Sequence, residues 1–197
     1  MLYITSDTHF YHKKIIEYCG RPENFNELII DGWNKTVEKD DTVIHLGDFA
    51  IGRDYSFDTK RESYKALMNS LNGEKILVRG NHDRETNSFY KDIGFNDVFN
   101  YFTMEIGEIT FLFLHYPIEI NEEYMKDSLK EFILSIKSDI SFDAVIHGHT
   151  HNRIVGEVLE GNVSKLDNII HINCSVENTN YKPVSMEEIL EVIKKYI

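Results

Sequence analysis

Six short clusters of Asp, Asn and His occur along this chain, and each stands where a loop should follow a strand. They are Asp7-Thr8-His9, Gly47-Asp48, Gly80-Asn81-His82-Asp83, His115, His147 and Gly148-His149-Thr150-His151. Carboxylate oxygens, amide oxygens and imidazole nitrogens are ligands of divalent metals, and paired divalent metals act chiefly on phosphate esters. The clusters therefore predict a site for two metals and a reaction at phosphorus.

A dinuclear site needs a carboxylate that bridges both ions. Asp48 is the natural candidate, because it stands alone in a turn after an apolar strand. Asp7 and His9 should point to the same side, since residues two apart share one side of an extended chain. His149 and His151 repeat that spacing. Glycines that let the backbone turn sharply precede three of the clusters: Gly47, Gly80 and Gly148.

Short apolar runs predict the strands that position these clusters, because such runs are typical of buried strands. The clearer runs cover residues 2–6, 42–46, 75–79, 109–115 and 143–147, and the weaker ones cover 98–106, 155–159 and 169–173. Apolar residues at helical spacing predict helices around residues 29–37, 64–71, 125–136 and 186–193. Ser185 and Glu188 form a capping box that should begin the last helix.

The order of these elements predicts an α/β fold. Strands and helices alternate at first and β-rich sequence follows from about Val98, which indicates two packed sheets with helices outside. We expect a four-layer α-β-β-α sandwich in which two packed mixed β-sheets are flanked by helices. At 197 residues the chain fits one domain, which we expect to span residues 1–197. Most clusters then fall at the C-terminal ends of strands, where open α/β sheets place their ligands.

The composition argues against several classes of protein. A net charge of −12 disfavours a surface that neutralises nucleic-acid phosphates or anchors to a membrane by charge. No apolar stretch approaches the length that spans a bilayer. Cys19 and Cys174 are too few and too far apart for a disulfide scaffold or a cysteine-based zinc site. Met1 leads directly into the first apolar run and leaves no room for a signal peptide, so we expect a cytoplasmic protein.

The ordered set D-x-H, G-D, G-N-H-D, H and G-H-x-H resembles the calcineurin-like metallophosphoesterase superfamily. The resemblance runs from Asp7 to His151, about three quarters of the chain. Each motif alone is weak, whereas G-N-H-D and G-H-T-H in this order, with strands before them, are specific.

The resemblance implies a role for each matched residue. Seven side chains would hold two divalent ions: Asp7, His9, Asp48 and His151 the first, and Asp48, Asn81, His115 and His149 the second. His82 would lie close to the scissile phosphate, and Asp83 would orient it. The nitrogen and oxygen ligands fit manganese, iron, zinc, nickel or cobalt, of which we expect manganese.

The mechanism that the resemblance implies is in-line attack on phosphorus by a hydroxide that bridges the two metals. His82, protonated and held by Asp83, would stabilise the phosphate or give a proton to the leaving alkoxide. A general acid of this kind contributes about 10²–10⁴ in rate.

Four further polar residues have two interpretations each. His45 and His147 end apolar strands, which favours hydrogen-bonded histidines behind the site over direct ligands. His12 follows the first cluster and could touch substrate, or it could belong to a solvated turn that opens a helix. Arg53, five residues beyond Asp48, could clamp a phosphate oxygen or be a surface arginine.

We therefore predict a metal-dependent phosphoric ester hydrolase that cleaves a phosphodiester or phosphomonoester in a small phosphorylated or nucleotide-derived substrate. The small chain leaves little room for a cap, so the site should be open. One alternative is a non-catalytic, metal-binding scaffold for protein interactions with the same fold, which the presence of Asn81 and His82 disfavours. The other is a nuclease, which the negative charge disfavours, and no membrane partner is expected.

Overall fold

The structure, a computed structural model, describes residues 1–52, 57–119 and 125–196. The strands of these residues are β1 (Leu2–Thr5), β2 (Thr42–His45), β3 (Glu74–Val78), β4 (Asp97–Phe99), β5 (Tyr101–Ile106), β6 (Ile109–Leu114), β7 (Ala144–His147), β8 (Glu157–Glu160), β9 (Val163–Leu166), β10 (Ile169–Asn173) and β11 (Val184–Ser185). The helices are α1 (Lys14–Cys19), α2 (Phe25–Thr36), α3 (Phe57–Ser70), α4 (Asn87–Ile93), α5 (Asp127–Asp139) and α6 (Met186–Ile193). A short 3₁₀ helix covers Val176–Asn178.

The strands form two mixed sheets. The first has the order β11-β1-β2-β3-β4, in which β1 to β4 are parallel and β11 is antiparallel to β1. The second has the order β5-β6-β7-β10-β9-β8, in which β6, β7 and β10 are parallel and the outer strands are antiparallel to their neighbours. The parallel strands of each sheet end at a common edge, which brings the loops that follow them together.

The first sheet is buried on both faces because its apolar residues alternate between two cores. Tyr3 and Val43 face a core shared with α1 to α4. Their neighbours Ile4 and Ile44 face the second sheet. Strands buried on both faces appear in the sequence as continuous apolar runs, as expected.

The second sheet follows the same rule. Ile146 of β7 faces the core between the sheets, whereas its neighbour Val145 packs with Ile133 of α5 on the outer face. Helix α6 packs Ile189 and Ile193 against the core between the sheets. Helices α1 to α4, the two sheets and α5 are the four layers of the predicted α-β-β-α sandwich, which is thus confirmed.

The capping box at the start of α6 is present as predicted. The Glu188 backbone N–H donates to Ser185 Oγ over 3.1 Å, and the Ser185 N–H donates to the Glu188 carboxylate over 2.8 Å. No helix in the described ranges combines the length and the apolar character needed to cross a bilayer.

The single strand expected over residues 98–106 is wrong. The chain forms β4 and β5, which belong to different sheets, with Asn100 between them. The run is apolar on both sides of Asn100, so local pattern does not show that the chain leaves one sheet for the other. The short elements α4, β9 and β11 were also not predicted, whereas α1 begins just after His12, where one of its two interpretations placed a turn that opens a helix.

Candidate metal centre

The loops after β1 and β2 place the first ligands side by side. Backbone hydrogen bonds run from Asp7 N to Gly47 O and from His9 N to Asp48 O, each 3.0 Å long. Asp48 Oδ2 then lies 3.5 Å from His9 Nε2. Asp7 Oδ1 lies 3.9 Å from both His9 Nε2 and His151 Nε2. All four predicted ligands of the first ion therefore surround one small volume.

The predicted ligands of the second ion gather on the other side of Asp48. Asp48 Oδ2 lies 3.7 Å from His115 Nε2. His115 Nε2 lies 3.2 Å from Asn81 Oδ1, and the rings of His115 and His149 are 5.0 Å apart. Asp48 thus stands between His9 and His115, which is the position that a bridging carboxylate needs.

The protonation of His115 shows that this arrangement fits a cation. His115 Nδ1 lies 2.7 Å from the carbonyl oxygen of Leu46, so Nδ1 must carry the hydrogen. In the neutral ring, Nε2 then presents a lone pair to Asn81 Oδ1 and Asp48 Oδ2, which are themselves acceptors. A cation between these three acceptors satisfies them; without one, a second proton on His115 does so, because, against the opposing effect of burial, Asp48 and Asp7 raise the pKa of His115.

Orphaned polar atoms on the other side of Asp48 lead to the same conclusion. Within the described residues, Asp7 Oδ1 and both ring nitrogens of His9 are buried and have no hydrogen-bond partner. Leaving such atoms unpaired costs about 1–3 kcal/mol each, and metal coordination is one way to satisfy them. Two candidate metal-binding groups include these atoms, one formed by Asp7, His9 and His151 and one by Asp7, Asp48 and His115.

Burial also makes the cluster unfavourable without a cation. It raises the pKa of Asp48 to about 7, an effect opposed by His115 and reinforced by the charges of Asp7 and Asp83. Burial acts on Asp7 in the same direction, but the neighbouring imidazoles, His115 first, hold the pKa of Asp7 below its ordinary value. Two buried carboxyl groups so close together are stabilised as anions when positive charge lies between them.

The remaining carboxylate oxygens hold the loops in place. Asp7 Oδ2 accepts hydrogen bonds from His149 N over 2.9 Å and from Ser175 Oγ over 3.1 Å. Asp48 Oδ1 accepts from His82 N over 2.8 Å. Each of the two carboxylates therefore uses one oxygen on the protein and turns the other toward the predicted metals.

Asp83 is buried and joins two loops. Its carboxylate accepts hydrogen bonds from the backbone N–H groups of Asp48 at 2.7 Å, Gly80 at 2.8 Å and Phe49 at 3.2 Å. Burial raises the pKa of Asp83, and these N–H groups oppose the rise. The predicted role of Asp83 in orienting His82 stays a prediction, whereas its hydrogen bonds to the loop that carries Asp48 are observed.

Half of the ten non-glycine residues with a positive φ in the described part of the chain are predicted ligands. Five of the seven have a positive φ: Asp7 at 55°, His9 at 48°, Asp48 at 56°, His149 at 66° and His151 at 49°. Non-glycine residues adopt this left-handed conformation at a cost of about 1–2 kcal/mol each, and such strain is found mainly at functional sites.

Two glycines allow the loops to approach this closely. A Cβ on Gly148 would collide with Ser6 Oγ and Asp7 Oδ2, and a Cβ on Gly80 would collide with Asp48 Oδ1. Neither glycine has a positive φ. Their predicted role in a sharp turn is therefore better described as leaving room for the two carboxylates.

Arg21 and Glu177 support the site, although no motif in the sequence pointed to either of them. Arg21 donates to Thr8 O over 2.7 Å and to Asp7 O over 2.6 Å, and its Nε donates to Glu177 Oε1 over 2.8 Å. Glu177 Oε1 also lies 3.0 Å from His151 Nδ1. The side chains of Arg21 and Glu177 are 0% and 4% exposed. A hydrogen bond to the second ring nitrogen is the usual way to orient a histidine ligand.

Cys19, His151 and Glu177 also have ligand atoms within 4.8 Å of one another. Arg21 already neutralises the Glu177 carboxylate, so a further cation there would face a buried guanidinium. We therefore regard this group as support for His151 and not as a separate metal site.

His45 has both ring nitrogens engaged. Gly47 N donates to His45 Nδ1 over 3.2 Å, so His45 Nε2 carries the hydrogen and donates to Thr8 Oγ1 over 2.9 Å. Thr8 Oγ1 in turn donates to Phe49 O over 2.7 Å. Burial lowers the pKa of His45 to about 3, which agrees with this neutral ring. His45 therefore lies behind the metal-binding loops and is hydrogen-bonded there, which is the first of its two interpretations.

His147 is also buried behind the site. Its Nδ1 donates to Gly148 O over 2.9 Å, and its ring lies 5.4 Å from that of His171. Burial lowers the pKa of His147 to about 3. A neutral ring that binds the backbone of the ligand-bearing loop fits a supporting role.

His82 and His12 border the site from the solvent side. The His82 side chain is 27% exposed, and its Nε2 lies 3.9 Å from Asp48 Oδ2. The His12 ring lies 5.5 Å from that of His9 and 6.4 Å from that of His82. Both histidines line an open cavity of about 530 Å³ over the predicted metals. Arg53, the other predicted substrate contact, lies outside the described residues.

Comparison with known proteins gives a consistent result. Residues 1–174 match the family model of the calcineurin-like phosphoesterase superfamily domain. The chain is 33% identical over 199 residues to the uncharacterised protein MJ1445 of Methanocaldococcus jannaschii, covering 98% of this chain and 92% of that protein. It is 31% identical over 159 residues to the phosphodiesterase MJ0936 of the same organism, covering 79% and 75%.

A solved structure shows the same fold. AQ665 from Aquifex aeolicus, a protein of unknown function, superposes with a TM-score of 0.74 at 34% identity. The alignment covers 98% of this chain and 99% of that one.

Proposed function

Because the chain belongs to the calcineurin-like phosphoesterase superfamily, we propose that it is a metal-dependent hydrolase of small phosphorylated or nucleotide-derived substrates. It cleaves phosphodiester or phosphomonoester bonds and works in the cytoplasm. The observation that carries the proposal is the position of Asp48 Oδ2, which lies 3.5 Å from His9 Nε2 and 3.7 Å from His115 Nε2. The neutral His115 ring, Asn81 Oδ1 and Asp48 Oδ2 face one another there, and a cation between them would satisfy all three.

The proposed cofactor is a pair of divalent ions, manganese by preference, held by the seven predicted ligands: Asp7, His9, Asp48, Asn81, His115, His149 and His151. When bound, two such ions supply an activated water at neutral pH and neutralise charge on the phosphate oxygens. The buried carboxylates support this assignment, as do the ring nitrogens of His9, which have no hydrogen-bond partner among the residues that the structure describes.

His82 is the proposed general acid. Its backbone N–H donates to Asp48 Oδ1, so the residue is fixed next to the central carboxylate. Its ring is partly exposed and lines the cavity, so it can reach a bound ester. In the reaction it gives a proton to the oxygen that leaves phosphorus, and Asp83 holds the loop from which it acts.

The test is hydrolysis by the purified protein after metal removal and reloading with Mn²⁺. We expect hydrolysis of p-nitrophenyl phosphate or bis-p-nitrophenyl phosphate only with the metal present. For His82→Ala we expect a fall of about 10²–10⁴ in kcat on a nucleotide ester with an alkoxide leaving group and a smaller fall on the p-nitrophenyl esters, whose leaving group needs little protonation. Lys35→Ala, whose side chain on α2 is 73% exposed and does not line the cavity, is the control and should retain the wild-type rate. Inactivity of the reloaded protein on both substrates and on a nucleotide panel would contradict the proposal and favour a scaffold.

A further inference from the structure

We infer that the substrate is a phosphodiester, and that a second cavity, beside Tyr116, holds a flat apolar substituent that stays on phosphorus. This inference rests on the proposed function. The second cavity has a volume of about 700 Å³, and its walls include Tyr116, Pro117, Met125 and Leu129. Nothing in the sequence motifs points to it.

The two cavities meet over the predicted metal centre. The first contains His12, Lys14 and His82, and the second contains Tyr116 and Leu129. Both are lined by Asn81, His149 and Arg153. Asn81 and His149 are predicted metal ligands, so a phosphate bound there lies at the junction. A monoester would fill one cavity, whereas a diester has one substituent for each.

The position of His82 decides which substituent leaves. His82 lines the first cavity and is not among the residues of the second. His82 also lines a smaller cavity of about 200 Å³ beside Lys60. The oxygen that receives its proton therefore belongs to the substituent on the His82 side, in the first or the smaller cavity, and not to the one in the second cavity. The substituent in the second cavity stays on phosphorus.

The proposed step is the hydrolysis of one ester bond of the phosphodiester. The P–O bond to the leaving oxygen breaks, and a P–O bond to the oxygen of water forms. His82 gives its proton to the leaving oxygen and is reprotonated by the water. The products are an alcohol and a phosphomonoester that carries the retained substituent.

The walls of the second cavity suit an aromatic ring. The Tyr116 ring is held by neighbouring imidazoles, 4.9 Å from the His115 ring and 4.8 Å from the His149 ring. Leu129 and Met125 add aliphatic surface, and Lys126 adds one cation. An apolar wall with a fixed aromatic ring favours flat substituents such as a phenyl group or a nucleobase.

Arg153 lies at the junction, and Glu119 holds it there. Its guanidinium forms two hydrogen bonds to the Glu119 carboxylate, 3.1 Å and 2.7 Å long. The ion pair leaves the cavity wall close to neutral at this point. Apart from the Lys126 cation, the second cavity therefore selects by shape and apolar contact.

The test uses two diesters that share a leaving group and differ in the retained group, p-nitrophenyl phenyl phosphate and p-nitrophenyl methyl phosphate. The measured quantity is the ratio of their kcat/KM values. We expect the wild type to prefer the phenyl ester by about 10-fold or more, since apolar pockets discriminate on this scale. Leu129→Ala should lower the ratio about 3- to 10-fold, and Met125→Ala should lower it in the same direction.

Leu134→Ala is the matched control. Leu134 lies on α5, as Leu129 does, but it is 54% exposed and does not line the cavity. The ratio of kcat/KM for the phenyl and methyl esters should therefore stay at the wild-type value. Thermal unfolding of each variant with Mn²⁺ shows whether it is folded. Phenyl phosphate, the product, should inhibit the wild type more strongly than methyl phosphate, and Leu129→Ala should reduce the difference.

Two results would overturn the inference. One is an unchanged phenyl-to-methyl ratio in folded Leu129→Ala and Met125→Ala. The other is faster hydrolysis of p-nitrophenyl phosphate than of either diester, which would leave the proposed phosphoesterase function intact. These results differ from a failure of the proposed phosphoesterase function itself, in which neither diester nor the monoester would be hydrolysed.

Discussion

Glu177 is the residue whose contribution is least visible in the sequence and clearest in the structure. It accepts from Arg21 Nε and lies 3.0 Å from His151 Nδ1, although 156 positions separate it from Arg21. The predicted ligands could be found from the sequence because each lies in a short cluster after a strand. Glu177 belongs to no such cluster, since it comes to His151 only through the packing of the 3₁₀ helix.

We predict that Glu177→Ala weakens the binding of one Mn²⁺ ion about 10- to 100-fold, the usual effect of losing the partner of a histidine ligand. Glu177→Gln keeps an acceptor for His151 Nδ1 and should recover part of the affinity. Calorimetric titration of the metal-free protein measures both. Glu187→Ala, an exposed change at the start of α6, is the control.

Both Glu177 variants leave the buried Arg21 guanidinium without its carboxylate, so the free energy of unfolding should also fall, by about 3–5 kcal/mol. Affinity and stability are therefore measured separately. Wild-type affinity at both sites in a folded Glu177→Ala protein would show that Glu177 does not position His151.

At the scale of elements, the site depends on strands that end together and on loops that approach closely. The strands before the clusters were predictable, because runs buried on both faces are continuous and apolar. The left-handed backbone conformations of five predicted ligands could not be predicted, because they come from contacts between loops and not from local preference. These ligands are Asp7, His9, Asp48, His149 and His151. The division of residues 98–106 between β4 and β5 escaped prediction for a related reason, because pairing partners decide it.

We predict that Gly148→Ala abolishes tight Mn²⁺ binding, because its Cβ would collide with Ser6 Oγ and Asp7 Oδ2. Ser6 Oγ donates to Leu46 O and Asp7 Oδ2 accepts from His149 N, so relieving the collision breaks these hydrogen bonds and displaces the Asp7 carboxylate. Metal content after dialysis measures the effect.

Gly107→Ala is the control for this change. Gly107 has a φ of +67°, and a Cβ added there would meet no atom of the described residues within 4 Å beyond its chain neighbours. Alanine should therefore lower stability by about 1 kcal/mol, through the positive φ alone, and leave metal binding intact. Equal metal content in Gly148→Ala and the wild type would show that Asp7 is not constrained by this contact.

At the scale of the whole molecule, the two-sheet architecture buries histidines that take no part in the predicted ligand set. His171 of β10 is fully buried, and neither ring nitrogen has a hydrogen-bond partner within the described residues. Burial, with a smaller effect of Lys137, lowers the pKa of His171 to about 4. The residue type alone does not show that His171 is buried and neutral, because its burial on the α5 face depends on the packing of β10 beside β7.

We predict that acid destabilises the metal-free protein partly through His171. The unfolded chain binds a proton at the ordinary histidine pKa of about 6.5 and the folded chain only near 4, so the unfolded state binds more protons between these values. The free energy of unfolding should therefore fall as the pH falls through this range, by up to about 1.4 kcal/mol per pH unit for each such histidine.

Urea unfolding at pH 7, 6 and 5 in EDTA measures this dependence. His171→Phe keeps a ring and removes the titrating group, so its stability should depend less steeply on pH than that of the wild type. Identical pH dependence in the two proteins would show that His171 is not held neutral by the fold.

We propose that Asp48 joins two divalent ions in one site. The most direct measurement is calorimetric titration of the metal-free protein with Mn²⁺, with bound metal counted by elemental analysis. We expect about two ions per chain for the wild type and for Asp127→Ala, whose side chain is 95% exposed, and loss of tight binding of both ions in Asp48→Ala. Wild-type stoichiometry and affinity in Asp48→Ala, or no saturable binding in the wild type, would contradict it.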